Sequence, residues 1–225
     1  MDAILSPDNP DLKRGLYGVF RDFFGRAEKK RRWSLKDIPW DQVNKNINPS
    51  IGFVVESFCA VELYLPDYIA QALPMIRTNR AWSSFHINWG YEESKHSLAM
   101  ADWLVQARIR TPEQLGEIEK EITFKIWDPP QDSGVAMLIY AMCQELATWL
   151  HYRNLRHQPD VASDPALSKI LDLIAVDERA HHNFYRRVVE LFLRLDRTTT
   201  LQHLSRILQT FAMPAVHLFA DCKQR

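Results

Sequence analysis

The chain has 225 residues, 46% hydrophobic and 25% charged, which supplies a sizeable core and argues against disorder. Its 28 basic and 28 acidic side chains cancel. That balance excludes a general polyanion binder, whose hold on phosphate needs a basic excess, so no nucleic-acid partner is expected. Only 7 residues are glycine, about half the usual share, which disfavours sheet folds and nucleotide-cradling loops.

The first residues, MDAILSPDNPDLKRG, carry no apolar run of signal-peptide type. No later stretch approaches the ~18 apolar residues of a membrane span. A soluble, cytoplasmic protein is expected. Residues 1–48 read as partly irregular: a mixed segment over 11–27, a basic run at Lys29, Lys30, Arg31 and Arg32, then an irregular stretch ending NKNINPS. Helical periodicity then predicts helices over 50–77, 80–108, 112–125, 133–158, 164–195 and 198–221. Polar and proline clusters separate them, at Arg77-Thr78-Asn79, Thr111-Pro112, WDPPQDSG (127–134) and Ser163-Asp164-Pro165. Four of these helices are long, and nothing divides the chain. The expectation is an all-α fold: one domain over 1–225, a ferritin-like four-helix bundle with extra flanking helices. Cys59, Cys143 and Cys222 are too scattered for a disulfide framework or a thiolate metal site.

The apolar stripe of each long helix is broken near its middle by an acid. The stripes run Val55, Phe58, Glu62, Leu65; Trp89, Glu93, His96, Met100; Met142, Glu145, Thr148, Trp149; and Ile174, Glu178, His181, Tyr185. Residues at i and i+3 share a helix face, so Glu93 points with His96, and Glu178 with His181. Four carboxylates and two imidazoles would then meet inside the bundle. Unpaired, each buried carboxylate would cost several kcal/mol. A pair of divalent cations removes the objection, each held by a terminal Glu and a His, with the remaining two Glu bridging. Oxygen and imidazole donors suit Fe or Mn.

The spacing supports this reading. Glu62 to Glu93 and Glu145 to Glu178 are near-equal intervals along the chain, and each Glu-x-x-His is preceded by an acid, Glu92 or Asp177. Outer carboxylates commonly orient metal-bound histidines. Asp177 is therefore expected to bond His96, and Glu92 to bond His181. His86 is left outside the ligand set.

YEESKH (91–96), VDERAH (176–181), VELYLPDY (61–68), CQELAT (143–148), RWSLKDIP (32–39) and FAMPAVHLFAD (211–221) resemble, in this order, motifs of the soluble acyl-(acyl carrier protein) desaturases, which are ferritin-like di-iron carboxylate proteins. The resemblance implies two iron ions, with manganese able to take one site. Their ligands would be Glu62, Glu93, His96, Glu145, Glu178 and His181, with Glu93 and Glu178 bridging. It implies a role for Thr148 at the oxygen site, and an electron path through Trp33, Asp177 and His96. Implied partners are an acyl carrier protein bearing the acyl substrate, ferredoxin or a similar electron donor, and O2; a homodimer is implied too. The sequence departs from the family at Arg179-Ala180, where two basic residues are usual, which alters the dock for an acidic carrier. Lys29 to Arg32, Arg179, Arg186 and Arg187 are the local basic candidates.

The function expected is a di-iron oxidase that uses O2 and two electrons to place a cis double bond in a carrier-tethered fatty acyl chain. The alternatives are a related oxygenase, hydroxylating or N-oxygenating a tethered intermediate, and a ferroxidase or iron-handling protein. Leu65, Ile69, Trp89, Met100, Met142, Trp149, Tyr152 and Phe184 are the channel candidates beside the site.

Overall fold

The computed structural model describes residues 6, 9–126, 131 and 133–213. Among them are nine α-helices and no strand. They are α1 Pro10–Lys30, α2 Pro49–Glu62, α3 Leu65–Ile76, α4 Arg80–Gln106, α5 Pro112–Thr123, α6 Gly134–Arg156, α7 Pro159–Ala162, α8 Pro165–Leu195 and α9 Arg197–Thr210. Two short 3-10 turns, Leu35–Asp37 and Trp40–Gln42, join α1 to α2.

The helix starts are set by short polar side chains that accept from otherwise unpaired first-turn amides. Asn9, Asn48, Asn79, Ser133, Asp164 and Asp196 do this for α1, α2, α4, α6, α8 and α9, with Pro10, Pro49 and Pro165 opening three of them. Asp164 is wholly buried and also accepts from the Trp103 indole at 2.9 Å, which pins the start of α8 to α4.

Three elements differ from the sequence expectation. The segment read as mixed is one 21-residue helix, α1, burying Leu12, Leu16, Phe23 and Ala27 on one stripe. The helix expected over 50–77 breaks at Leu63-Tyr64. Pro66 has no N–H to give the carbonyl of Glu62, so the ladder cannot continue. The Val61 carbonyl instead takes the Tyr64 amide and the Tyr68 hydroxyl, each within 3.2 Å. The last helix stops at Thr210 and residues 211–213 are not helical. The tail motif from Pro214 to Asp221, and most of the break at 127–134, lie outside the described residues.

The bundle is made of α2 against α4 and α6 against α8, joined through α4 and α8, with α3 continuing the first layer. Helix α1 lies across α4 and α8. The core forms two apolar clusters. One holds Trp82, Phe85, Trp89, Ile139, Phe184 and Phe192, and the other Val55, Met100, Trp103, Tyr152, Ile170 and Ile174. On α4, α6 and α8 the acid-bearing turns lie between the residues of one cluster and those of the other, so a polar layer is enclosed between two greasy ones. Gly90, one turn before Glu93, lets α3 come close to α4. A Cβ there would stand 2.6 Å from Ile69.

Helix α4 ends with Arg108 at φ 61°, a left-handed position that normally takes glycine. Arg108→Gly should therefore raise stability by about 1 kcal/mol, read as a later urea midpoint at unchanged slope. An unchanged or earlier midpoint would show that no strain resides there.

Candidate metal centre

Each inward-facing acid is supplied by a different long helix: Glu62 at the last turn of α2, Glu93 with His96 on α4, Glu145 on α6, and Glu178 with His181 on α8. All six are buried. Two sets of donor atoms gather within 4.8 Å of one another: Glu62, Glu93, His96 and Glu178; and Glu93, Glu145, Glu178 and His181. Glu93 and Glu178 belong to both, which is the geometry of two adjacent cation sites with two shared carboxylates.

The donors approach without bonding each other. His96 Nδ1 lies 3.2 Å from Glu93 and 3.3 Å from Glu178, and His181 Nδ1 lies 2.9 Å from Glu93 and 3.4 Å from Glu145. None of these contacts has hydrogen-bond geometry. Glu93 Oε1, Glu145 Oε2, Glu178 Oε1 and both Nδ1 atoms are buried without a partner. A buried polar atom left unpaired costs about 1–3 kcal/mol, and more if charged. Five of them facing one another fit divalent cations and fit little else. Two such ions would neutralise the four inner carboxylates.

One oxygen each of Glu62, Glu145 and Glu178 is held by a neighbour. Tyr152 Oη donates to Glu62 Oε1, and Trp89 Nε1 donates to Glu145 Oε1 at 2.9 Å. Thr148 Oγ1 lies 3.0 Å from Glu178 Oε2 and 3.2 Å from the carbonyls of Gln144 and Glu145. Behind the histidines, His181 Nε2 meets Glu92 Oε2 at 2.8 Å and His96 Nε2 meets Asp177 Oδ2 at 3.4 Å. These bonds leave both Nδ1 atoms facing the centre. Trp33 Nε1 donates to the same Asp177 oxygen at 2.7 Å, and its ring is parallel to that of His96.

Burial lifts the Glu62 and Glu145 carboxyls well above the usual range, and the charges of Glu93 and Glu178 lift them further. Burial alone would depress the two imidazoles. The carboxylates around them, led by Glu93 at His96 and Glu145 at His181, outweigh it and hold both well above an ordinary histidine. Burial also opposes charge on Glu93, but the two histidines overcome that and hold it low.

Sequence reasoning placed the six inward residues and paired the outer acids with their histidines, Asp177 with His96 and Glu92 with His181, but it missed the cations that meet those acids. Arg31 and Arg32 read as a surface dock, yet they turn inward. Arg31 Nη1 is 2.9 Å from Asp177, and Arg32 Nη1 is 3.0 Å from Glu92. Local spacing gives no hint of contacts made across 60 to 146 residues. Lys95 is buried over the Trp33 ring at 4.3 Å, a cation–π contact.

Of the eight channel candidates only Trp89 lines the cavity that reaches Glu145. Tyr152 bonds Glu62, Phe184 stacks on Phe85, Met100 packs in the other cluster, and Trp149 lies against Arg153 and Arg179. Along α6 the cavity runs from Gly134 through Met137, Leu138 and Ala141 to Glu145, about 16 Å at 1.5 Å per residue. Tyr68, Trp82, His86 and Tyr185 form other walls. His86 is 3.3 Å from the Tyr68 carbonyl and stacked on Trp89, and burial pushes its imidazole down to about 4. It is a neutral wall residue.

Four long helices that each deliver a carboxylate to one buried layer, two of them with a histidine one turn on, define a ferritin-like carboxylate bundle. The chain belongs to the fatty acid desaturase family, whose model matches residues 51–225. It is 26% identical over 201 residues to a Mycobacterium tuberculosis protein named as an acyl-(acyl-carrier-protein) desaturase, DesA1, covering 86% of this chain and 59% of that one. It is 29% identical over 147 residues to the chloroplastic stearoyl-(acyl-carrier-protein) 9-desaturase 6 of Arabidopsis thaliana, covering 63% of this chain and 36% of that protein. The chain thus spans about 59% and 36% of the lengths of these relatives. The crystal structure of a Mycobacterium tuberculosis protein described as an acyl-ACP desaturase, DesA2, shares the fold at a TM-score of 0.66 and 21% identity, over 95% of this chain and 84% of that one. No helix among the described residues is long and apolar enough to cross a membrane.

Metal uptake should displace protons from the imidazoles and from Glu62 and Glu145, so affinity for ferrous or cobaltous ion should fall as pH falls. Calorimetry in buffers of different ionisation enthalpy reads the release. Uptake with no proton change would contradict the site. Glu145→Ala should also lower bound metal below two ions per chain, as measured by elemental analysis.

Proposed function

We propose that this chain is a di-iron oxidase that uses O2 and two electrons to introduce a cis double bond into a fatty acyl chain tethered to acyl carrier protein. The observation that carries the reading is the pair of overlapping donor sets sharing Glu93 and Glu178, with an apolar cavity that ends on Glu145. The names of the relatives support the same substrate class. On this reading the whole chain works as one ferritin-like domain.

Glu62, Glu93, His96, Glu145, Glu178 and His181 are the proposed ligands, for two iron ions, with manganese able to take one site. An iron pair supplies, when bound, the activation of dioxygen needed to remove hydrogen from unactivated C–H bonds. The protein does the rest. The cavity along α6 holds an extended apolar chain and keeps water from it. Trp89 and Tyr152 fix the carboxylates of Glu145 and Glu62, so that their free oxygens point inward. Thr148 Oγ1 presents a hydroxyl proton beside Glu178 Oε2, and the family resemblance supports a role for it in the oxygen chemistry that the iron pair would supply. The buried Trp33 joins to His96 through Asp177, and we assign this chain of contacts as the route for electrons from a ferredoxin or similar donor. The groove between α1 and α8, lined by Arg26, Lys30, Arg179, Arg186 and Arg187 with the single acid Asp22, suits an acidic carrier protein. Inside that groove Arg187 is already paired with Asp22. The family resemblance also supports a homodimer as part of this reading.

The test is mass spectrometry of acyl-carrier species after incubation with iron-loaded protein, O2 and a ferredoxin-type reductant. The reading predicts loss of two hydrogens from the acyl group. Gain of oxygen would make the chain a hydroxylase or N-oxygenase, and iron oxidation with no change in the acyl group would make it a ferroxidase. Thr148→Val should keep bound metal at the normal level while less of the O2 consumed appears as product. Equal coupling in that variant would remove Thr148 from the reaction.

A further inference from the structure

We propose that Arg31 is a positioning residue for both metal subsites, yoking together the two carboxylates that orient the ligand histidines. The inference rests on the di-metal reading above and assigns a residue outside the span 51–225 that the family model matches.

Arg31 closes α1. Its Nη1 lies 2.9 Å from Asp177 Oδ1 and 3.4 Å from Glu92 Oε2. Asp177 stands behind His96 and Glu92 behind His181. One nitrogen thus touches the support of each histidine, and the two supports come from different helices, α8 and α4. The Arg31 side chain is only 9% exposed, and its guanidinium lies 4.7 Å over the Phe23 ring, on the preceding turns of its own helix. It faces inward and is not free to dock a partner.

Glu92 and Asp177 are both almost wholly buried. Two carboxylates sharing a dry site repel unless a cation lies between them. Among the described residues the other nearby cations do not take this place. Arg32 reaches Glu92 and not Asp177. The Lys95 ammonium has no hydrogen-bond partner and sits over Trp33. Arg31 and Arg32 together balance the two outer acids, and Arg31 alone spans them. Without it the two acids repel with only Trp33 left to hold Asp177 and only Arg32 left to hold Glu92, so the acceptor that fixes which nitrogen of each histidine faces the centre is held less firmly.

The test uses full-length metal-free protein titrated with Co(II) alone at fixed pH, reading affinity by equilibrium dialysis and coordination by the cobalt ligand-field bands. Thermal melts are run alongside. The wild-type chain should bind two ions. Arg31→Met should weaken both sites about 10- to 100-fold and change the bands of both. Arg32→Met should weaken only the site that holds His181. Arg31→Lys keeps the charge but not the reach and planar shape of the guanidinium, and should fall between wild type and Arg31→Met at both sites. It carries the test alone if the methionine variant does not fold. A lower melting temperature with unchanged affinities and bands would make Arg31 merely structural and overturn the proposal, as would a loss confined to one site. Failure of the wild-type chain to bind two ions would instead overturn the di-metal reading itself.

Discussion

Burying six carboxylates in one layer of a helical bundle is the constraint on which the rest of this structure depends. Glu62, Glu92, Glu93, Glu145, Asp177 and Glu178 are all removed from water, with apolar clusters on either side. Negative charge at that density is sustainable only beside positive charge. The layer divides into two tiers by the source of that charge. The inner four acids turn unpaired oxygens toward a common centre, where divalent cations suit them. The outer two are met by Arg31 and Arg32 from the end of α1. The histidines connect the tiers, one nitrogen to each.

This division explains the place of α1 in the fold. A four-helix bundle closes its own apolar seam, and its core needs no helix laid across α4 and α8. What α1 adds is the run Arg31, Arg32 and Trp33, three consecutive residues that all reach Glu92 or Asp177. Their delivery depends on the anchoring of the helix by Leu12, Leu16, Phe23 and Ala27. The break between α2 and α3 plays a matching part on the other side, leaving Glu62 on a turn whose ladder ends there and whose carboxylate is held by Tyr152 from α6.

The inner tier was legible in the sequence because helical spacing is short-range. An acid in the middle of an apolar stripe, repeated on four stripes with a histidine three residues on in two, can be seen without knowing how the helices pack. The outer acids were legible for the same reason, each preceding a ligand Glu. Arg31, Arg32, Lys95 and the Trp89–Glu145 bond were not, since their partners lie far away in the chain and only packing brings them together. The lining of the cavity that reaches Glu145 was not legible, because apolar residues one turn from a ligand face in several directions. Met100, Tyr152 and Phe184 sit near the ligands in sequence, yet each is spent on packing or hydrogen bonding. The cavity wall is formed instead by residues further along α3, α4 and α6, such as Ala72, Trp82 and Gly134.

The central claim is that the unpaired oxygens and nitrogens of this layer exist to hold a pair of cations. Anomalous diffraction from a crystal grown with excess ferrous salt, collected on both sides of the iron edge, tests it most directly. Two iron peaks lying between the four carboxylates, with Glu93 and Glu178 in contact with both and one histidine on each, are the result this account predicts. No iron at the centre, with the carboxylates rotated apart or bonded to one another through protons, would contradict it.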